Sequence, residues 1–237
     1  GTGTCNVTMT AAQSVTATFM LDETLAVAKI GNGTIWSVPA PVSGNVDTGS
    51  ATFTYGTPVT LTASAASGWA FSSWSGCDSS SGPLCSVTMT SAKSVTATFT
   101  SNTYTLTVTN PGTGSGSVAD VNNPGKFTWL VTSGSGTYDY NMLVALVATP
   151  DVSSTFSGWS GEGCSGTGSC TVTMSAARNV TATFTLKTFA IDFVSGGNGT
   201  LTGTVSQIVN YNGSATAVTA VPSTGYHFVN WTGTGGV

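Results

Sequence analysis

Cysteine is the residue type whose spacing carries the clearest chemistry in this 237-residue chain, which contains five of them. Cys77 and Cys85 lie close together in sequence, and so do Cys164 and Cys170, each pair between a Phe-x-x-Trp phrase and a Val-Thr-Met phrase. Such pairs could bind zinc, but the spacing does not fit a zinc site and His227 is the single histidine. Because the two pairs occupy equivalent positions, we predict the disulfides Cys77–Cys85 and Cys164–Cys170, which indicate an oxidising, extracellular compartment.

Acid–base and metal chemistry have few candidate residues. The nine Asp and Glu residues are scattered, and no run of them has the spacing of a calcium-binding loop. Asp120, Asp139 and Asp151 could gather around a cation, but solvated loop carboxylates are the favoured interpretation. His227 occupies a position that differs among the internal repeats, which predicts a surface strand site. We expect no metal, no cofactor and no enzymatic activity, since no nucleophile lies next to a base in sequence.

Charge is scarce in this sequence. Asp, Glu, Lys and Arg make up 6% of the residues, against about 25% in an ordinary soluble domain. The net charge is −4, so no basic surface is available for nucleic acid or anionic lipid. Hydrophobic residues reach 40%, which predicts a folded chain. No run approaches the roughly 18 to 20 apolar residues of a membrane span.

One phrase of the sequence recurs three times and organises the chain. It begins at a cysteine, contains Val-Thr-Met, and ends in Val-Thr-Ala-Thr-Phe, over residues 5–19, 85–99 and 170–184. A second phrase, Phe-x-x-Trp followed by Ser or Thr and Gly, stands at 71–76, 156–161 and 228–233. The first phrase recurs at intervals of 80 and 85 residues, so each unit is predicted to be a small domain of a tandem array.

Apolar residues alternate with threonine along these phrases. Val95, Ala97 and Phe99 fall on one face of a predicted strand, because side chains of a strand alternate between its faces. A Gly-x-Gly turn at 31–34, 114–117 and 197–200 predicts a β-hairpin in each unit. The same glycines could suggest a phosphate loop, but no lysine follows them and no helix is predicted. The chain is therefore predicted to be all-β.

The order of these motifs resembles a known repeat. Tyr-x-Leu-Thr-Val, Gly-x-Gly, Gly-Thr-Pro-Val-Thr-Leu-Thr-Ala, Phe-x-x-Trp-Ser-Gly, Cys-x-Val-Thr-Met and Ser-Val-Thr-Ala-Thr-Phe together are similar to the divergent internalin-type B-repeat of bacterial surface and secreted proteins. The resemblance covers essentially the whole chain. It implies small β-grasp-like or β-sandwich-like domains of about 70–85 residues, used as a stalk or interaction module without catalysis of their own.

The phrases also predict domain boundaries. Residues 1–19 are predicted to be the C-terminal strands of a split repeat, and residues 20–99 a complete repeat. Residues 100–185 are predicted to be a complete repeat with an insertion near 122–136, and residues 186–237 the N-terminal part of a further repeat. We hypothesise that residues 186–237 of one copy form a domain with residues 1–19 of a neighbouring copy.

The spacing across the two ends supports this hypothesis. From Trp to Cys inclusive, both complete repeats count 12 residues, and Trp231–Val237 together with Gly1–Cys5 also give 12. A peptide bond in a longer chain or non-covalent strand addition would make the join, and either produces a head-to-tail filament. The alternative is a segment of a longer adhesin with arbitrary limits. The predicted subunit junction comprises Gly1, Cys5, Val7, Met9, Val15, Phe19, Phe228, Trp231 and Val237.

Cys5 is the odd cysteine of the chain. Thr234 or Gly236 occupies the position of its expected partner. We therefore expect Cys5 to be a free buried thiol in the restored repeat, with an intermolecular bridge as the alternative.

The tryptophans separate into two groups. One tryptophan recurs in every Phe-x-x-Trp phrase, as a core residue would. Trp36, Trp69 and Trp129 do not repeat, so they are the candidates for exposed aromatic contacts. The favoured function is an extracellular filament subunit or surface stalk whose partner is a further copy of itself. The alternative is an adhesin or carbohydrate-binding accessory module of a larger secreted bacterial protein, whose partners are surface glycans.

Overall fold

The computed structural model describes residues 2–41, 43–44 and 46–233. Gly1 and Val237 of the predicted junction lie outside the described residues, as do Thr234 and Gly236. In the described residues the chain forms strands and no helix, which confirms the all-β prediction. The chain divides into two compact units, Gly1–Asn102 and Thr103–Val237.

The first complete repeat is a two-layer β-sandwich. Its strands are β1 (Asp22–Ile30), β2 (Gly33–Val38), β3 (Ser43–Gly44), β4 (Gly49–Thr54), β5 (Pro58–Ala65), β6 (Trp69–Ser75), β7 (Ser79–Ser81), β8 (Leu84–Thr88) and β9 (Lys93–Ser101). One sheet has the order β3-β4-β1-β9-β6 and the other the order β2-β5-β8-β7. Buried side chains from both sheets form a single core.

Strand β9 carries the recurring Val-Thr-Ala-Thr-Phe phrase and lies inside its sheet. It runs parallel to β1, with Val95 beside Val27, and antiparallel to β6. Val95, Ala97 and Phe99 are buried in the core, as the alternation of the sequence predicted. The phrase therefore supplies the strand that joins the two halves of this sheet.

The second complete repeat has the same plan. Its strands are β10 (Thr103–Thr109), β11 (Gly116–Asp120), β12 (Phe127–Trp129), β13 (Ser133–Asp139), β14 (Leu143–Pro150), β15 (Ser154–Ser160), β16 (Cys170–Thr173) and β17 (Arg178–Leu186). The sheets have the orders β12-β13-β10-β17-β15 and β11-β14-β16. Strand β17 again lies parallel to the first strand of the repeat, with Val180 beside Val108. The predicted insertion contributes β12, which pairs with β13.

The chain beyond β17 forms two short hairpin-like sheets. Its strands are β18 (Thr188–Asp192), β19 (Gly199–Thr202), β20 (Ser206–Asn210) and β21 (Thr219–Pro222). Strand β18 pairs with β20, and β19 pairs with β21. These two pairs correspond to β1 with β4 and to β2 with β5 in the first complete repeat.

Both predicted disulfides are present. Cys77 bonds to Cys85 with a Cα–Cα distance of 5.6 Å, and Cys164 bonds to Cys170 with a Cα–Cα distance of 5.3 Å. In each complete repeat the bond joins the loop after the tryptophan strand to a strand of the opposite sheet. The disulfide therefore links the two layers of the sandwich.

Candidate functional site

Residues 2–21, named here the N-terminal segment, carry the third copy of the Cys-to-Phe phrase but form no strand. Its large apolar side chains are exposed, namely Val7, Met9, Val15 and Phe19. Phe19 is 91% exposed, whereas the equivalent residues Phe99 and Phe184 are 2% and 0% exposed. The same phrase is thus core in both complete repeats and solvent-exposed in its third copy.

Residues 188–233, named here the C-terminal region, have the complementary deficit. In the first complete repeat β1 lies between β4 and β9, and β5 lies between β2 and β8. In the C-terminal region β18 pairs with β20, and β21 pairs with β19. Neither β18 nor β21 has a second neighbouring strand in the described part of the chain. Each of the two small sheets therefore keeps an open edge where a complete repeat holds a strand of the Cys-to-Phe phrase.

The inner face of β18 lacks the cover that its counterparts have. Ile191 is 39% exposed, whereas the equivalent residues Leu25 and Leu106 are fully buried. Phe189, two residues earlier on the same face of β18, is also exposed. An apolar face next to an open strand edge is a surface prepared for strand pairing.

An aromatic cluster is incomplete in the C-terminal region. In the second repeat the ring centroid of Phe156 lies 5.1 Å from that of Trp159 and 5.2 Å from that of Phe184. The first repeat has the same three rings. The centroid of Phe228 lies 5.6 Å from that of Trp231, and the centroid of Phe193 lies 5.8 Å from it. The ring that the Cys-to-Phe phrase supplies in the complete repeats is not among these three.

A cavity of about 320 Å³ adjoins the Phe228–Trp231 pair. Its lining includes Gly199, Leu201 and Val221. The predicted junction contained both aromatic residues but omitted Gly199 and Ile191. Both could have been found by aligning the repeats, because Gly199 aligns with Gly116 and Ile191 aligns with Leu106.

The sequence matches the model of a known protein family. The model of the divergent InlB B-repeat domain matches residues 24–103, 104–188 and 189–237, three consecutive regions that span most of the sequence. The chain belongs to the divergent InlB B-repeat family. The first two matches correspond to the complete repeats and the third to the C-terminal region, while the N-terminal segment lies outside all three.

Comparison with individual proteins adds less. Among solved structures, the Bacillus anthracis TIE protein is similar with a TM-score of 0.44 and 7% identity, over 85% of this chain and 43% of that one. This chain thus spans less than half the length of that protein chain. No curated protein matches the sequence significantly.

The disulfides and the family bear on where these B-repeats reside. The disulfides Cys77–Cys85 and Cys164–Cys170, together with the B-repeat family, point to an extracellular or surface protein. Over the residues that the structure describes, no helix is long and apolar enough to cross a membrane.

Cys5 differs from its counterparts in the complete B-repeats. Cys85 and Cys170 are buried and disulfide-bonded, whereas Cys5 is free and exposed. The prediction of a buried thiol concerns the restored repeat, whereas the single chain leaves Cys5 in solvent. Burial of Cys5 requires the segment to pair as β8 and β16 do.

Two of the three candidate exposed tryptophans are packed against protein. Trp69 and Trp129 are half-buried against the cores of the first and second B-repeats. The indole Nε1 of Trp129 donates a hydrogen bond to the carbonyl oxygen of Gly116, at 2.9 Å. Their assignment as exposed contacts is wrong, since the cores of the two complete repeats accommodate aromatic side chains outside the recurring phrases. Trp36 is exposed, as expected.

The remaining polar candidates serve structure. Asp120 is buried, and its Oδ1 accepts hydrogen bonds from the backbone N–H groups of Asn122, Asn123 and Ala145. The expectation of a solvated carboxylate at this position is wrong, because these donors stabilise the charge inside the repeat. His227 is exposed but lies outside any strand. The described residues contain no group of three or more His, Cys, Asp or Glu side chains arranged to hold a metal.

An ion pair reinforces the disulfide loop of each complete B-repeat. Lys93, at the start of β9, pairs with Asp78, and Arg178, at the start of β17, pairs with Glu162 at 2.6 Å. The hydrogen bond from the Lys93 ammonium, with that from the backbone N–H of Thr88, holds the pKa of Asp78 below its usual value. The equivalent position in the N-terminal segment is Gln13, so the third copy of the phrase has neither the disulfide nor the ion pair.

Acid is expected to weaken the first B-repeat through Asp47. The ammonium of Lys29 lies 2.8 Å from this carboxylate, and together with the backbone N–H of Ile35 it lowers the pKa of Asp47 from 3.8. A lowered pKa in the folded state stabilises the fold above pH 3.8, and that contribution is lost as the pH falls through the lowered value. The thermal midpoint is expected to drop less in Asp47→Asn than in the wild type between about pH 6 and pH 2. Identical drops in both proteins would contradict this assignment.

Proposed function

We propose that this chain is a structural protein of the bacterial surface or extracellular space that assembles head to tail through strand donation. The N-terminal segment of one copy completes the C-terminal region of the next. One observation carries the proposal. Residues 5–19 have the apolar pattern of a core strand but form no strand, and residues 188–233 form sheets that lack the strands of the Cys-to-Phe phrase.

The donor side is supported by the internal repeats. Five positions of the segment hold residue types that are buried in both complete B-repeats and exposed here, namely Val7, Met9, Val15, Ala17 and Phe19. Burying apolar surface contributes roughly 25 cal/mol per Å², so these side chains favour any arrangement that removes them from water. The arrangement already used twice in this chain places them between the two sheets.

The acceptor side is supported by topology. A strand equivalent to β9 would pair parallel to β18, and a strand equivalent to β8 would pair antiparallel to β21. Both edges are unoccupied in the described residues. Strand addition to an open edge gives affinity through main-chain hydrogen bonds and specificity through the pockets that alternate side chains enter.

The direction of the contact determines the kind of assembly. Donor and acceptor are different surfaces of the same chain, so the contact between copies is heterologous. A heterologous contact produces rings when its rotation closes and open filaments when it does not. The low charge of the chain, 6% of residues, favours association because little electrostatic repulsion opposes it.

Light scattering and electron microscopy of the purified chain test the proposal. The wild type is expected to form species of rising mass and linear particles as concentration increases. Val15→Asp places a charge on the inner face of the donor strand and is expected to hold the mass near 23.7 kDa. Thr16→Asp places the same charge on the outer face and is the matched control, which is expected to assemble. A wild-type chain that stays monomeric at every concentration would overturn the proposal.

The carbohydrate-binding alternative has less support. Sugar recognition by stacking uses aromatic side chains that reach solvent, and Trp36 is the one of the three candidate tryptophans that is exposed. Trp69 and Trp129 contribute to the cores instead. We therefore place self-assembly ahead of glycan binding.

A further inference from the structure

The cavity of the C-terminal region is lined by Gly199, the counterpart of the glycines against which Phe99 and Phe184 pack in the complete B-repeats. We propose that it is a binding site for an extended peptide of the type Val-x-Ala-x-Phe, with the phenylalanine side chain as the anchor. The N-terminal segment contains this peptide. We expect the segment of a second copy to bind, with its Phe19 side chain in the cavity. This inference rests on the proposed function, since it specifies how the acceptor recognises its donor.

A glycine at the start of the second strand makes room for the ring. A Cβ atom at Gly33 would collide with the ring of Phe99, and a Cβ atom at Gly116 would collide with the ring of Phe184. The equivalent residue, Gly199, begins β19 and lines the cavity. The three atoms nearest to a Cβ atom there belong to the backbone of β21, with the oxygen of Val221 at 2.8 Å. No aromatic ring is among them, whereas a ring is the nearest neighbour at Gly33 and at Gly116.

The walls of the cavity match the surroundings of that ring elsewhere. Phe228 and Trp231 line the cavity, and their ring centroids lie 5.6 Å apart, close to the 5.9 Å between those of Phe71 and Trp74. The ring centroid of Phe193, the residue that follows β18, lies 5.8 Å from that of Trp231. The cavity is open to solvent and has a volume of about 320 Å³, which leaves room for a phenylalanine side chain.

The register of the complete B-repeats aligns the rest of the peptide. Val95 lies beside Val27, and Val180 lies beside Val108, so the same parallel pairing sets Val15 beside Phe193. The indole Nε1 of Trp159 donates to the carbonyl oxygen of Gly168, two residues before the buried cysteine. Trp74 makes the same bond to the carbonyl oxygen of Pro83. The corresponding acceptor for Trp231 is the carbonyl oxygen of Gly3.

The bound peptide is held without the two cross-links of the complete B-repeats. Thr234 or Gly236 stands where the other repeats place the partner cysteine, and Gln13 stands where they place Lys93 and Arg178. In the proposed complex neither cross-link holds the peptide, so a free peptide of the same sequence is expected to compete with the donor strand of a neighbouring copy.

A synthetic peptide of residues 4–21, added to the full-length wild-type chain, tests the inference. The labelled peptide is expected to bind, as measured by fluorescence anisotropy, and in excess to reduce the scattering mass of assembled material. The Phe19→Ala peptide is expected to bind about thirtyfold more weakly or worse, as a buried anchor residue does. On the acceptor, Ala220→Leu fills the cavity from β21 and is expected to weaken peptide binding, whereas Thr219→Leu on the opposite face is not.

The outcomes separate this inference from the proposed function. Equal binding of the wild-type and Phe19→Ala peptides would overturn the assignment of the cavity while leaving assembly intact. Assembly of the chain without any binding of the peptide would overturn it as well. A chain that binds the peptide through Phe19 but stays monomeric would support the site and contradict the filament.

Discussion

Phe184→Ala is expected to lower the free energy of unfolding of the second B-repeat by about 3 to 5 kcal/mol, whereas Phe19→Ala leaves the stability of the single chain almost unchanged. Both residues end the same Val-Thr-Ala-Thr-Phe phrase. Phe184 is fully buried against Phe156 and the backbone at Gly116, so truncation loses its burial and leaves a void. Phe19 is 91% exposed, so truncation removes little buried surface from the folded monomer.

Urea denaturation, carried out at protein concentrations too low for assembly, measures both effects. Hydrogen exchange of the β17 amides reports on the second repeat separately. Phe99→Ala is the matched control, because it removes the equivalent ring from the first B-repeat and is expected to weaken that repeat by a similar amount. A loss of monomer stability in Phe19→Ala as large as in Phe184→Ala would mean that the N-terminal segment is already folded into its own chain.

Replacing both Cys77 and Cys85 by alanine is expected to lower the free energy of unfolding of the first B-repeat by about 2 to 3 kcal/mol. The disulfide limits the freedom of the unfolded chain, and in the folded repeat it joins the loop after β6 to β8 of the opposite sheet. Alanine is the suitable replacement because Cys85 is fully buried, and a serine hydroxyl there would add a cost of its own.

A reducing agent provides an independent measurement of the same bond. It is expected to destabilise the first B-repeat of the wild type and to have no further effect on that repeat in the double variant. Cys5→Ala is the control, because Cys5 is free and exposed and its removal is expected to leave unfolding unchanged. An equal response of the wild type and the double variant to reductant would contradict a stabilising role for this disulfide.

Local features of this protein were predictable from sequence. The buried faces of β9 and β17 follow from alternation, because neighbouring side chains of any strand point to opposite faces. The pairing of Cys77 with Cys85 and of Cys164 with Cys170 follows from short loops at equivalent places, where few other partners are within reach. The family follows from the order of the phrases, which the matched regions confirm.

Contacts between distant segments required the tertiary structure. Trp129 lies in an insertion without a counterpart in the other repeats, and its position against the core follows from β12 pairing with β13. Asp120 is buried because the chain folds three backbone donors around it, one of them 25 residues away. Neither outcome has a local pattern, since each depends on which segments pack together.

The acceptor site shows the same division. The third Cys-to-Phe phrase and the third Phe-x-x-Trp phrase are visible in the sequence, and so is the alternation that predicts a strand. The open edges of β18 and β21, the exposure of Ile191 and the cavity beside Gly199 became visible in the folded structure. The physical reason is that alternation is a property of each strand alone, whereas an edge or a cavity exists only relative to the strands that pack around it.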